Sequence, residues 1–146
     1  MLDFVLDFLF PKTCGFCNKI CKESLCKKCE LKLKYIEKAK LNFFNTKYFN
    51  EHLFLFSYEG IIRKKIIQYK FNDKPYLFET FAEIILNNEK ICGILKSYDI
   101  IIPVPMHYKK ERKRGYNQSS LIARQIAKFI TELEYCDNSL IKIRRK

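Results

Sequence analysis

Residues 99–128, DIIIPVPMHYKKERKRGYNQSSLIARQIAK, decide the fold class of this 146-residue chain. After Asp99, the residues Ile100, Ile101, Ile102 and Val104 form a continuous β-branched run, the pattern of a strand covered on both faces in a parallel sheet. From Asn117 onward, Ile122, Ala123, Ile126, Ala127, Ile130 and Leu133 recur at helical spacing, with Arg124, Gln125, Lys128 and Glu132 on the other face. A buried strand, a basic loop and an amphipathic helix in that order predict an α/β fold. Lys109, Lys110, Arg112, Lys113, Arg114 and Gly115 fill the loop, so cations converge with the unpaired N–H groups of a helix start. An oxyanion is the natural guest of that arrangement. Asn117 is the predicted N-cap, and Gly115 supplies either a positive φ or a close approach of backbone to anion. Tyr116 either packs the loop against the sheet or stacks on a base.

The net charge is +12, and residues 97–146 hold 11 basic against 5 acidic side chains, which makes the C-terminal third the anion-facing part. Charge alone does not specify a nucleic-acid partner, because dispersed lysine is ordinary solvated surface. The start, MLDFVLDFLFP at 1–11, is apolar but carries Asp3 and Asp7 and no basic leader, and Pro11 ends it far short of a membrane span. A short helix that packs Phe4, Phe8 and Leu9 on the body is expected, with no membrane span and a soluble, cytoplasmic location.

Five of the seven cysteines fall between Cys14 and Cys29, too local for a distributed disulfide framework. Cys14 and Cys17 form one CxxC pair and Cys26 and Cys29 a second, which together offer four thiolates to a tetrahedral ion, best zinc. The connecting segment Asn18–Leu25 is short, so a compact ribbon or a pair of knuckles is expected. Four ligands close the coordination sphere, which makes the metal structural rather than catalytic. Its net charge of about −2 has Lys12, Lys19, Lys27 and Lys28 close in sequence to offset it. Cys21 either replaces Cys17 as a ligand or stands free beside the site, and the symmetry of the two pairs favours the second. Redox-active CxxC motifs sit at a helix start in a thioredoxin-like context, which the sequence does not present. Cys92 and Cys136 read as small core residues.

Between these regions, Leu53–Tyr58 reads as a strand with Phe54, Phe56 and Tyr58 on one face. A helix follows Gly60, with Ile62, Ile66 and Tyr69 inward and Arg63, Lys64, Lys65 and Lys70 outward. Asn72–Pro75 makes a turn before a second helix with Leu77, Phe78, Phe81, Ala82 and Ile85 inward. Ser139–Ile143 can add a strand. His52 and His107 lack a partner at ligand or triad spacing and read as surface residues.

PVPMHYKKERKRGYNQ (103–118), together with CGFCNKICKESLCKKC (14–29) and YEGIIRKKIIQYKFNDKPYLFETFAEII (58–85), resembles the ComF family, which is related to type I phosphoribosyltransferases. The resemblance implies two units. One is an N-terminal helix and four-cysteine zinc ribbon or knuckle over residues 1–40. The other is an incomplete type I phosphoribosyltransferase-like domain over 41–146, with a hood at 48–96 on the nucleobase side and a strand–loop–helix at 97–135. It further implies that Arg112, Lys113, Arg114, Gly115, Asn117 and Gln118 face the pyrophosphate of phosphoribosyl pyrophosphate. Family members continue into a paired acidic dipeptide and a Thr/Gly-rich loop that hold the ribose and 5′-phosphate. Here no two acidic residues are adjacent and no Thr stands directly before a Gly.

A truncated member is therefore expected, inactive as an isolated transferase and taking magnesium with phosphoribosyl pyrophosphate only if the fold is completed. No residue is assigned a catalytic role. The family implies a place in competence and DNA uptake or in nucleotide metabolism, with competence proteins as partners. Two alternatives stand beside it: a zinc-containing basic adaptor for single-stranded DNA, and a remnant of a disrupted gene.

Overall fold

Apolar residues at helical spacing and well-placed caps make helices the main elements of this chain. In the computed structural model, which describes residues 11–38, 40–43 and 47–143, the order begins with helix α1 (Lys27–Ile36) and a hairpin of β1 (Lys40–Phe43) and β2 (Glu51–Phe54). Helices α2 (Gly60–Phe71), α3 (Leu77–Leu86) and α4 (Glu89–Leu95) follow. Then come β3 (Ile100–Ile101), α5 (Tyr108–Arg114), α6 (Gln118–Phe129) and β4 (Glu134–Tyr135). The helix expected through Phe4, Phe8 and Leu9 lies outside the described residues. Among the described residues, no helix is long and apolar enough to cross a membrane.

Two apolar clusters hold the elements together. One joins Cys14, Leu25 and Leu33 to Ile62 of α2 and Ile84 of α3, with Phe16, Leu55, Phe56 and Ile66 packed against it. The other joins Ala82 of α3 to Ile126, Ile130 and Leu133, with Ile85, Ile101 and Ile122 alongside. Helix α3 serves both, because its successive turns present Leu77, Thr80, Ala82 and Ile84 to different neighbours. Leu77 and Ile130 are each only 1% exposed, and burying such a side chain contributes about 1.5–3 kcal/mol.

β3 and β4 pair in parallel, Ile100 with Glu134 and Ile101 with Tyr135, joined by the helical crossover through α5 and α6. The strand expected over Asp99–Val104 is thus shorter and covered on one side only. Ile100, Ile102 and Val104 are exposed while Ile101 is half-buried and Pro103 buried. Pro103 and Pro105 have no N–H to continue the ladder. The partner strand is Glu134–Tyr135, and Ser139–Ile143 forms no strand.

Four other expectations change. The strand placed at Leu53–Tyr58 pairs only over Glu51–Phe54, after which the chain bends so that the adjacent Leu55 and Phe56 both reach the cysteine-containing core, which a period-two strand would forbid. Lys65, expected to be outward, is buried with Ile62 and Tyr69 on the inner stripe of α2. The segment expected as a basic loop is a helix, α5, capped by His107, whose Nδ1 accepts the Lys109 N–H at 3.3 Å. His107 is therefore buried rather than a surface residue. The string KKERKR (109–114) consists of good helix formers, and Gly115 at φ 82° closes the helix in the left-handed conformation. Helix α4, which carries no strong apolar period, starts at Asn88, whose side chain accepts the Ile91 N–H at 2.9 Å.

Candidate functional site

The cysteine segment folds by local hydrogen bonds. Thr13 bridges Ile20, and the Cys14 N–H donates to the Lys19 carbonyl at 2.8 Å. The Asn18 N–H returns to the Cys14 carbonyl at 2.8 Å, with Asn18 itself left-handed at φ 59°. Cys14 and Cys17 thus flank a tight turn. Cys26 occupies the N-cap of α1 and Cys29 its first turn, so the second pair sits at a helix start, but among the described residues that helix belongs to no βαβ unit of the thioredoxin kind. The four thiols converge on one point, whereas a redox pair needs only two.

All four Sγ atoms lie within 4.8 Å of one another, and those of Cys17 and Cys26 are 3.7 Å apart. A tetrahedral ion with metal–sulfur bonds of about 2.3 Å requires sulfur–sulfur edges of about 3.8 Å. The residues therefore fit a metal ion, and a set of four thiolates selects a soft or borderline one. Burial opposes ionisation of Cys14, but hydrogen bonds from the backbone of Cys26, Cys17 and Phe16, with the Cys17 thiol, outweigh it and bring the group down to about 6. The Cys26 N–H reaches the Cys14 sulfur at 3.4 Å. Burial pushes the Cys29 thiol up, and its contacts with Cys26, Cys17 and Cys14 push it the same way. Cys21 stands outside the quartet and is turned to the Glu23 carbonyl at 3.0 Å.

What clamps this module is not apparent from the sequence. A Cβ on Gly15 would lie 2.3 Å from Thr80 Oγ1 and 2.8 Å from Leu77 Cδ2, so the turn rests directly on α3. Thr80 Oγ1 donates to the Ser24 carbonyl at 3.1 Å, and Ser24 Oγ donates to Glu83 at 2.5 Å. Nothing in residues so far apart signals the contact; only the small residue between two cysteines hints at crowding.

The basic region gathers at the junction of α5 and α6. Asn117 caps α6 by accepting the Ser119 N–H at 3.1 Å, and its Nδ2 donates at 3.2 Å to the Val104 carbonyl in the segment leaving β3. Replacing Asn117 with Ala is expected to cost about 1 kcal/mol, read as a lower urea midpoint with an unchanged slope. Tyr116 packs on α2: its hydroxyl donates to the Tyr69 carbonyl. The two rings lie 5.8 Å apart. The Tyr69 hydroxyl donates in turn to the Gln118 carbonyl at 2.9 Å.

The six residues expected at an anion do not share one hollow. Lys113 and Arg114 line a cleft with Lys70, Phe71, Asp73 and Lys110, and the Arg114 guanidinium lies 5.1 Å over the Phe71 ring. Asn117 lines a second cleft with Pro103, Pro105, Ser120, Arg124 and Asp137. Gln118 is buried beside an apolar cavity with Ile62, Tyr69, Phe81 and Ile122. Arg112 is exposed on α5, and Gly115 is open, with no atom within 4 Å of the place a Cβ would take. Phe71 beside Arg114 is an addition that the apolar period of α2 does not signal.

Over 68 residues, 44% of this chain, the sequence is 29% identical to competence protein F of Haemophilus influenzae. The match spans 30% of that protein's length. No protein-family model matches the chain, and no solved structure matches it.

Proposed function

We propose that this chain is a zinc-stabilised, ComF-type relative of the phosphoribosyltransferases. In this reading it serves competence, DNA uptake or nucleotide metabolism, and its α5–α6 junction binds the diphosphate of phosphoribosyl pyrophosphate or a similar anion. The observation that carries the reading is the junction itself. Lys110, Lys113 and Arg114 line one cleft with Lys70 and Phe71, immediately before a left-handed Gly115 and a capped twelve-residue helix, whose positive dipole end favours an anion nearby. The similarity to a competence protein supports the family. Zinc is the proposed ion because it is the usual occupant of a closed four-thiolate site. Transfer chemistry, with magnesium on the diphosphate, is proposed only for a fold completed by further strands.

Calorimetric titration of pyrophosphate into zinc-loaded protein tests this. Converting Arg112 and Arg114 together to Ala is expected to weaken binding at least tenfold, and unchanged affinity would remove the junction from consideration. A second reading, a single-strand DNA adaptor, is favoured by the cleft in which Phe71 is 70% exposed beside Arg114, Lys70, Lys110 and Lys113. Exposed aromatics among cations accept stacked bases and bind in a salt-sensitive way. DNA binding that survives the same double substitution lies elsewhere on the chain.

A further inference from the structure

A tetrathiolate site holding a divalent ion carries a net charge of about −2, and on the side of the buried Cys14 it faces the protein rather than water, where charge needs a compensating partner. The lysines nearest in sequence, Lys12, Lys19, Lys27 and Lys28, are all exposed, where water and salt screen them. One lysine is different. Lys65 is only 4% exposed and lies on the inner stripe of α2 between Ile62 and Tyr69. Among the described residues it forms no ion pair with a carboxylate. Its ammonium sits 5.8 Å from the ring of Phe16, the residue between Gly15 and Cys17 on the cysteine turn. Burial, with Lys74 and Lys64, holds its ammonium below the ordinary lysine range, while Cys14 and Cys17 act in the opposite sense and favour the charged form. A lysine packed this deeply, with no carboxylate partner among the described residues, is a rare and costly arrangement.

We propose that Lys65 is the fixed counter-charge of the metal–thiolate centre, held against Phe16 so that its ammonium offsets the excess negative charge of the loaded cysteine quartet. The assignment rests on reading the four cysteines as a metal centre. It makes Lys65 a positioning residue for the metal, contributed by a helix outside the cysteine module.

Chelator competition on zinc-loaded protein tests the assignment. One zinc per wild-type chain is expected, with Lys64→Met, at an exposed neighbour, retaining it equally well. Lys65→Met, close in shape but neutral, is expected to weaken zinc retention at least tenfold, and Lys65→Arg to stay within about threefold of wild type, because it keeps the charge. A purely packing role for the side chain predicts the opposite order, with Met the better tolerated of the two. Zinc held by Lys65→Met as tightly as by wild type overturns the counter-charge while leaving the metal centre intact. A wild-type chain that takes up no zinc overturns both. Should Lys65→Met not fold, cobalt-loaded wild-type protein provides the second measurement. The Lys65 ammonium resonance is then expected to be displaced by the paramagnetic ion relative to zinc-loaded protein, and an unshifted resonance overturns the proposal.

Discussion

Chelating the metal from the cysteine quartet is expected to unfold residues 11–32 and to loosen α2 and α3 with them. Metal binding to four-ligand structural sites contributes about 10–16 kcal/mol in isolated zinc-finger peptides, comparable to or larger than the entire stability of an ordinary domain, about 5–15 kcal/mol. The module's other supports are the start of helix α1, the bridge between Thr13 and Ile20, the turns around the thiols, and its contact with α3 through Gly15, Thr80, Ser24 and Glu83. Its apolar contribution is chiefly Cys14, Leu25 and Leu33. Hydrogen exchange on protein stripped of metal should show lost protection over 14–32 and reduced protection around Ile62 and Ile84. Cys14→Ser should reproduce that pattern, and Cys21→Ser should leave it unchanged, since Cys21 points to the Glu23 carbonyl. Full protection after verified removal of the metal would show that packing alone maintains the segment.

Gly15→Ala is expected to destabilise the zinc-loaded chain by about 1–3 kcal/mol, the usual range for forcing extra volume into a packed contact. The added methyl would meet Thr80 Oγ1 at 2.3 Å and Leu77 Cδ2 at 2.8 Å. Neither side can yield easily. Thr80 is 1% exposed and tied to the Ser24 carbonyl, and Leu77 is 1% exposed. Combining the change with Thr80→Ala removes the colliding hydroxyl, so the double variant should be less destabilised than the sum of the singles, the signature of direct contact. Denaturant unfolding of the four proteins measures that coupling, and strict additivity would place the strain elsewhere.

Features fixed by local spacing were legible in the sequence. The quartet Cys14, Cys17, Cys26 and Cys29 follows from two CxxC pairs, and the structure brings the four sulfurs together. The helices α2, α3 and α6 follow from their apolar period, and the Asn117 cap from its position before one of them. Features decided by distant partners were not legible. The run Ile100–Val104 resembles a two-faced strand, yet a two-residue partner at Glu134–Tyr135 covers little of it. Lys109–Arg114 draws attention as charge, which hides its helix propensity and the role of His107 as its cap. Lys65 occupies a position where the period of α2 calls for an apolar side chain, and the departure becomes informative only once Phe16 and the cysteines are seen against it.

Helix α2 meets the cysteine core through Ile62 and Lys65 at one end. At the other, Tyr69 receives Tyr116 and reaches the backbone of Gln118. Twelve residues therefore act as a common strut between the sulfur-rich and the cation-rich ends of the molecule. Fraying at either end of such a strut removes support from the opposite one, which favours melting of the two regions as one cooperative unit.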